Sequence, residues 1–134
     1  MNTLRLIWAA MIAGVVFYTL LVVGLTLAGM GPAGAVSPSI LTYAGAAVMV
    51  YMASGVFTRR RLVAQIDQTG SAEERIAAYT LATIIGIGLT ESGGLGLVSL
   101  ALLAGSASWA LAGGLATVFL MLMARPDGAE VGLD

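Results

Sequence analysis

The chain has 134 residues, 59% of them hydrophobic and only 10% charged, with no lysine, histidine or cysteine and a net charge of -1. Such a composition excludes a soluble domain of this size and indicates several membrane spans. Thiol chemistry, disulfides and thiolate metal sites are excluded with cysteine, the commonest metal ligand and general base with histidine, and the six arginines form no broad basic surface for a nucleic acid.

Four apolar runs follow in chain order. Residues 6 to 30, 39 to 58 and 107 to 124 are uncharged, and a third run from 76 carries one charge, Glu91, before it ends at 104. Each approaches or exceeds the ~20 residues needed to cross the ~30 Å hydrocarbon core. The expected fold is therefore all-α, a single integral membrane domain over 1 to 134 built as a four-transmembrane-helix bundle. Its helices are expected at about 6 to 30, 39 to 58, 72 to 104 and 107 to 124. Arg5 and the run behind it have the order of a signal peptide, but the run is longer than the ~7 to 15 apolar residues of a signal h-region and is read as a helix.

The arginines set an expected orientation. Arg5 precedes the first helix, Arg59, Arg60, Arg61 and Arg75 lie between the second and third, and Arg125 follows the fourth, so all fall on one side. The positive-inside rule makes that side cytoplasmic, with both termini, in what is expected to be a bacterial inner membrane. Trp8 and Trp109 then lie at opposite interfaces. Arg59, Arg60 and Arg61 are read as a topology anchor, with contact to anionic lipid or a cytoplasmic partner as the alternative. In the loop 59 to 71, Gly70 stops any extension of the second helix, and Ser71 with Glu74 has the spacing of a capping box that starts the third. Pro126 stops the fourth helix, and the tail 126 to 134, with "DGAEVGLD", is expected to be disordered.

Glu91 is the one ionisable group other than tyrosine inside a span, and it falls within a few residues of the middle of its helix. A charge at the bilayer centre costs roughly 2.5 to 3.5 kcal/mol even on lenient insertion scales, so the group neutralises, finds a partner or lines water. Desolvation favours the protonated acid, and no arginine within a span opposes that. Helical geometry places Ile84, Ile87, Leu95 and Val98 on the face of Glu91, with Gly88, Ser92 and Gly96 in one small-residue row and Gly86, Thr90 and Gly94 in another. Such rows let helix backbones approach closely, so Gly86, Gly88, Gly94 and Gly96 are expected to pack against neighbouring helices, within one bundle or between copies.

The stretch "LTESGGLGLVSLALLAG", residues 89 to 105, resembles the carboxylate-bearing helix of the F-type ATP synthase c subunit, through Thr90, Glu91, Ser92, Leu97 and Val98. The resemblance covers roughly residues 40 to 105. It implies a helical hairpin with a cytoplasmic loop, an ion site at Glu91 with Thr90 and Ser92 beside it, and a homo-oligomer or larger membrane complex as partner. Gly93 and Gly96 stand where sodium-binding members have Thr and Tyr, so the implied ion is a proton. The second helix lacks the family's repeated Gly-x-Gly run, and the loop lacks its Arg-Gln-Pro or Arg-Asn-Pro turn. The layout also resembles small four-span bacterial membrane proteins with a glutamate in the third helix.

Tyr18, Thr19, Tyr51 and Thr117 lie at comparable depth and are candidate hydroxyl partners for the acid, although each is also explained by a local backbone hydrogen bond. One carboxylate without histidine or cysteine is too small a ligand set for a metal. With no second acid, base or phosphate loop in the spans, no enzyme activity and no cofactor are expected. The expected function is a proton-binding proteolipid-like subunit. The alternative is a structural or accessory subunit in which Glu91 makes a buried interhelical hydrogen bond, and a small-molecule transporter subunit comes third.

The topology is testable by cysteine labelling. A cysteine at Ser37 reacts with an impermeant thiol reagent added outside the cell, and one at Gly70 does not; the reverse pattern overturns the orientation.

Overall fold

The computed structural model describes residues 2 to 32, 34 to 129 and 132. Four helices account for most of them: α1 (Asn2–Leu27), α2 (Pro38–Ala64), α3 (Ala72–Ala104) and α4 (Ala107–Met123), with no strand among the described residues. Each boundary has a local cause. Gly29 (φ 67) and Gly105 (φ 68) adopt the left-handed conformation that ends a helix, and in both cases the following residue bonds back across the last turn, Met30 N–H to Leu25 O at 2.9 Å and Ser106 N–H to Ala101 O at 2.9 Å. Ser37 caps α2, whose first residue is Pro38, by accepting from Ile40 N–H. The Ser71–Glu74 capping box is formed from both sides at the start of α3.

The helices run up, down, up and down, and α3 is the central one, packed against α2 on one side and against α4 and α1 on the other. Small residues let it be. A Cβ at Gly55 would stand 2.6 Å from Gly86 O, and one at Gly86 would stand 2.5 Å from Arg59 Cβ, so α2 and α3 touch backbone to backbone. Gly93 takes Met52 and Tyr51, Gly94 takes the Thr117 side chain of α4, and Gly114 of α4 takes Thr19 of α1. Between these contacts lie three apolar clusters: Leu4, Val63, Tyr79 and Ala82 at one end, Val15, Ile87, Met121 and Ala124 further along, and Val22, Val98, Ala101 and Ala110 towards the other end.

The outside of the bundle is apolar as well. Phe17 is 71% exposed and Val50 73%, and Leu115 and Phe119 are likewise open, a surface that water would not tolerate. Three helices are long and apolar enough to cross a membrane; α4 is an apolar helix of 17 residues, about 25 Å at 1.5 Å per residue. The protein is a small all-α membrane protein.

The structure differs from the sequence expectation at three places. Helix α1 runs from Asn2 to Leu27 rather than over 6 to 30, because the left-handed Gly29 ends it before the apolar run does. Helix α2 does not end at residue 58 but continues to Ala64, so Arg59, Arg60 and Arg61 lie on a helix rather than in the loop. The cause is packing: Met52, Val56, Arg59 and Val63 recur at helical spacing and are all buried, which carries the helix beyond the apolar run. The tail also differs where it is described. Arg5 donates to Pro126 O (3.2 Å) and Asp127 O (3.1 Å), and Gly128 N–H donates to Tyr79 Oη at 3.4 Å, which holds residues 126 to 128 against the end of the bundle. Residues 130, 131, 133 and 134, also expected to be disordered, lie outside the described residues.

The glycine contacts yield a graded prediction. Gly55→Ala and Gly86→Ala force methyl groups into the facing backbone and destabilise the bundle by about 1–3 kcal/mol, whereas Gly88→Ala and Gly96→Ala, whose Cβ positions meet no atom within 4 Å, do not. Thermal unfolding in detergent orders the four variants; equal losses at all four sites overturn the packing assignment.

Candidate functional site

Glu91 stands on α3 one turn beyond Ile87 and two turns before Val98. Ile87 packs with Val15 of α1 and Met121 of α4, and Val98 packs with Val22 of α1. The carboxyl is therefore level with the middle of α1, at the edge of the buried face of α3, where it is half-buried. No hydrogen bond ties it to any described residue.

Its chain neighbours point elsewhere, because successive helical residues diverge by 100°. Thr90 is buried against α2, where its hydroxyl donates to Met52 O and Gly86 O, both at 3.1 Å. Ser92 is exposed, donates to Leu89 O at 3.1 Å and lies 3.4 Å from Tyr51 Oη. The three residues of the sequence motif thus face three surroundings: the α2 seam, the α1 and α4 edge, and the outer surface.

Three of the four candidate hydroxyls are engaged away from the acid, and the fourth, that of Thr19, is buried with no hydrogen-bond partner among the described residues. Tyr18 Oη pairs with Ser99 Oγ at 2.8 Å, and Ser99 in turn donates to Leu95 O at 2.7 Å. Thr117 donates to Gly113 O at 2.7 Å, and Thr19 is buried against Gly114. Of the glycines singled out in the sequence, Gly86 and Gly94 are pressed against α2 and α4, while Gly88 and Gly96 border open space beside exposed Ser92. One small-residue row is used within the bundle, and the other is presented outside it.

The charged end holds a second constellation. Arg59 is 2% exposed, its Nη2 donates to Tyr79 Oη at 2.8 Å, and its guanidinium carbon lies 5.5 Å from the centre of the Tyr79 ring. Tyr79 is fully buried and also accepts the Gly128 N–H, so one phenol joins α2, α3 and the tail. Arg60 and Arg61 remain exposed. The arginine triplet is thus divided, with one member in the core and two available to headgroups or solvent. Arg59 reaches towards Tyr79, on the opposite side of Gly86 from Glu91, and does not approach the midplane acid. The sequence held the signal for this in the Met52, Val56, Arg59, Val63 spacing, which reading the triplet as one unit conceals.

No protein-family model, curated protein or solved structure matches the chain. Fold and site define a small four-helix membrane protein with a half-buried carboxyl at mid-height and an arginine–tyrosine–tail knot at its charged end.

The knot has a measurable consequence. Tyr79→Phe removes the oxygen that accepts from Arg59 and from Gly128 and leaves the buried Gly128 N–H without this acceptor, at a cost of about 1–3 kcal/mol. The variant unfolds at lower temperature in detergent, and trypsin cleaves faster after Arg125. Unchanged melting and proteolysis contradict the role given to Tyr79.

Proposed function

We propose that the protein is a proton-binding, proteolipid-like subunit of a membrane oligomer, with Glu91 as the group that takes up and releases the proton. One observation carries this reading: the carboxyl stands at mid-height, has no hydrogen-bond partner among the described residues and is half open at the bundle surface. An acid that served only to tie its own helices together would be bonded to one of them. In an apolar setting the ionised form is penalised by roughly 2.5 to 3.5 kcal/mol. The carboxyl therefore carries its proton wherever lipid or another helix covers it, and loses it where water or a fixed cation reaches it from a neighbouring subunit. The open row of Gly88, Ser92 and Gly96 suits such a neighbour, because small residues admit a helix backbone close to the carboxyl. The orientation with both termini and the arginines in the cytoplasm, and the placement in a bacterial inner membrane, belong to this proposal.

The exposed Tyr51–Ser92 pair favours a second reading. Hydroxyls on the outside of a membrane bundle suit a polar partner helix, and in that case Glu91 is a permanently neutral donor to a neighbouring subunit of a complex, with no proton turnover.

The two are separated by carbodiimide and by one substitution. A hydrophobic carbodiimide adds to the protonated carboxyl, so under the first reading Glu91 is modified at low pH and labelling falls as pH rises through its titration. Glu91→Gln keeps the shape and hydrogen-bonding capacity of the neutral acid without a proton to release. It assembles as the parent does and abolishes proton flux in reconstituted vesicles. Normal assembly and function of Glu91→Gln, with no labelling at any pH, reject proton turnover and leave the hydrogen-bond reading.

A further inference from the structure

Between α1 and α2, which make no substantial contact with each other, the outer face of α3 is left open. Ser92 is exposed at the centre of that face, and Gly88 and Gly96, about 40° to either side of it, meet no atom where a Cβ would stand. The two flanks of the face differ. Glu91, about 100° from Ser92, lies on the α1 flank between Ile87 and Val98, which pack on Val15 and Val22 of that helix. Gly93, about 100° the other way, is pressed on Met52 and Tyr51 of α2. Tyr51, 44% exposed, reaches Ser92 from that side.

The hydroxyl protons on this face are already spent. Ser92 donates to Leu89 O at 3.1 Å, so in the 3.4 Å Tyr51–Ser92 pair the phenol is the donor. Tyr51 Oη keeps lone pairs to accept with and has no proton left to give. Protonated Glu91 has the reverse character, an O–H donor with no bond to any described residue. Hydrocarbon satisfies neither group. A face with a free donor on one flank and a free acceptor on the other is complementary to itself.

Copies that insert with their arginines on the same side are parallel, and a two-fold axis along the membrane normal then leaves each residue at the depth of its counterpart. Rotation by a half turn about an axis beside Ser92 also sets the α1 flank of one copy against the α2 flank of the other. Glu91 is about 1.5 Å along α3 from Ser92, to which Tyr51 is bonded, so donor and acceptor meet at matching depth. Gly88 and Gly96 let the two α3 backbones approach closely. We propose that this face joins two copies of the chain about a two-fold axis, each protonated Glu91 donating to Tyr51 Oη of the other copy. This interface rests on the reading of Glu91 as the proton site, and it names what covers the acid in its loaded state.

The chain has no cysteine, so Ser92→Cys places a single thiol beside the axis. A disulfide needs its Cα atoms within about 7 Å, which two equivalent residues reach next to a two-fold axis but not in a head-to-tail ring. Copper–phenanthroline oxidation of the full chain in vesicles, read on non-reducing gels, links Ser92→Cys into a dimer several-fold more completely than Leu115→Cys, on the exposed face of α4. Adding Tyr51→Phe or Glu91→Leu to Ser92→Cys lowers the linked fraction several-fold, whereas adding Glu91→Gln, whose amide still donates, keeps it. No linked dimer for Ser92→Cys, equal linking for Leu115→Cys, or linking indifferent to Tyr51→Phe overturns the interface. Linking as expected, with a Glu91 that carbodiimide never labels, supports the interface and rejects proton turnover alone. Labelling of Glu91 that falls with rising pH, without linking of Ser92→Cys, rejects the interface alone.

Discussion

Everything in this bundle depends on how closely α2 and α3 approach. Inside a bilayer, burying an aliphatic side chain between helices gains little over leaving it in lipid, so association rests on van der Waals contact and on hydrogen bonds that lipid cannot offer. At Gly55 and Gly86 the two backbones come within reach of one another, and Thr90 uses that proximity to donate across the seam to Met52 O. The same contact brings Arg59 alongside Gly86 and so carries α2 past the arginines as a helix.

The second constraint is electrostatic. All six arginines gather at one end, where guanidinium groups find headgroups, water or carbonyls. Arg59 is covered there by Tyr79 and a folded-back tail, and Arg5 secures that tail through two backbone carbonyls. Glu91 stands apart at mid-height without this support. The contrast separates their roles: the charge at the end is embedded in hydrogen bonds and fastens elements together, while the acid in the middle stands at an edge with no bond to any described residue.

Much of the fold was legible as pattern. The four apolar runs and the Ser71–Glu74 box place both ends of α3 and the start of α4 at the residues observed, because these signals are local. The end of α2 was not legible from hydropathy, since the charged residues after 58 end the apolar run but not the helix. Disorder was the natural expectation for an acidic, glycine-containing tail, yet its carbonyls at 126 and 127 are bound by a side chain more than a hundred residues away, a contact no local pattern encodes.

The candidate site divides in the same way. By itself the sequence determined that one carboxyl lies near the middle of an apolar helix between two rows of small residues, because rise and rotation per residue are fixed by the α-helix. Only the tertiary structure decided which row is consumed and which is free: Gly86 and Gly94 meet α2 and α4, and Gly88 and Gly96 meet nothing. It likewise decided that Thr90 serves the α2 seam, that Tyr18 pairs with Ser99, and that Arg59 is buried while Arg60 and Arg61 are not. The physical reason is that periodicity assigns residues to faces of a helix, whereas the neighbour covering each face depends on how four helices are arranged about α3, and that is settled by long-range backbone contact.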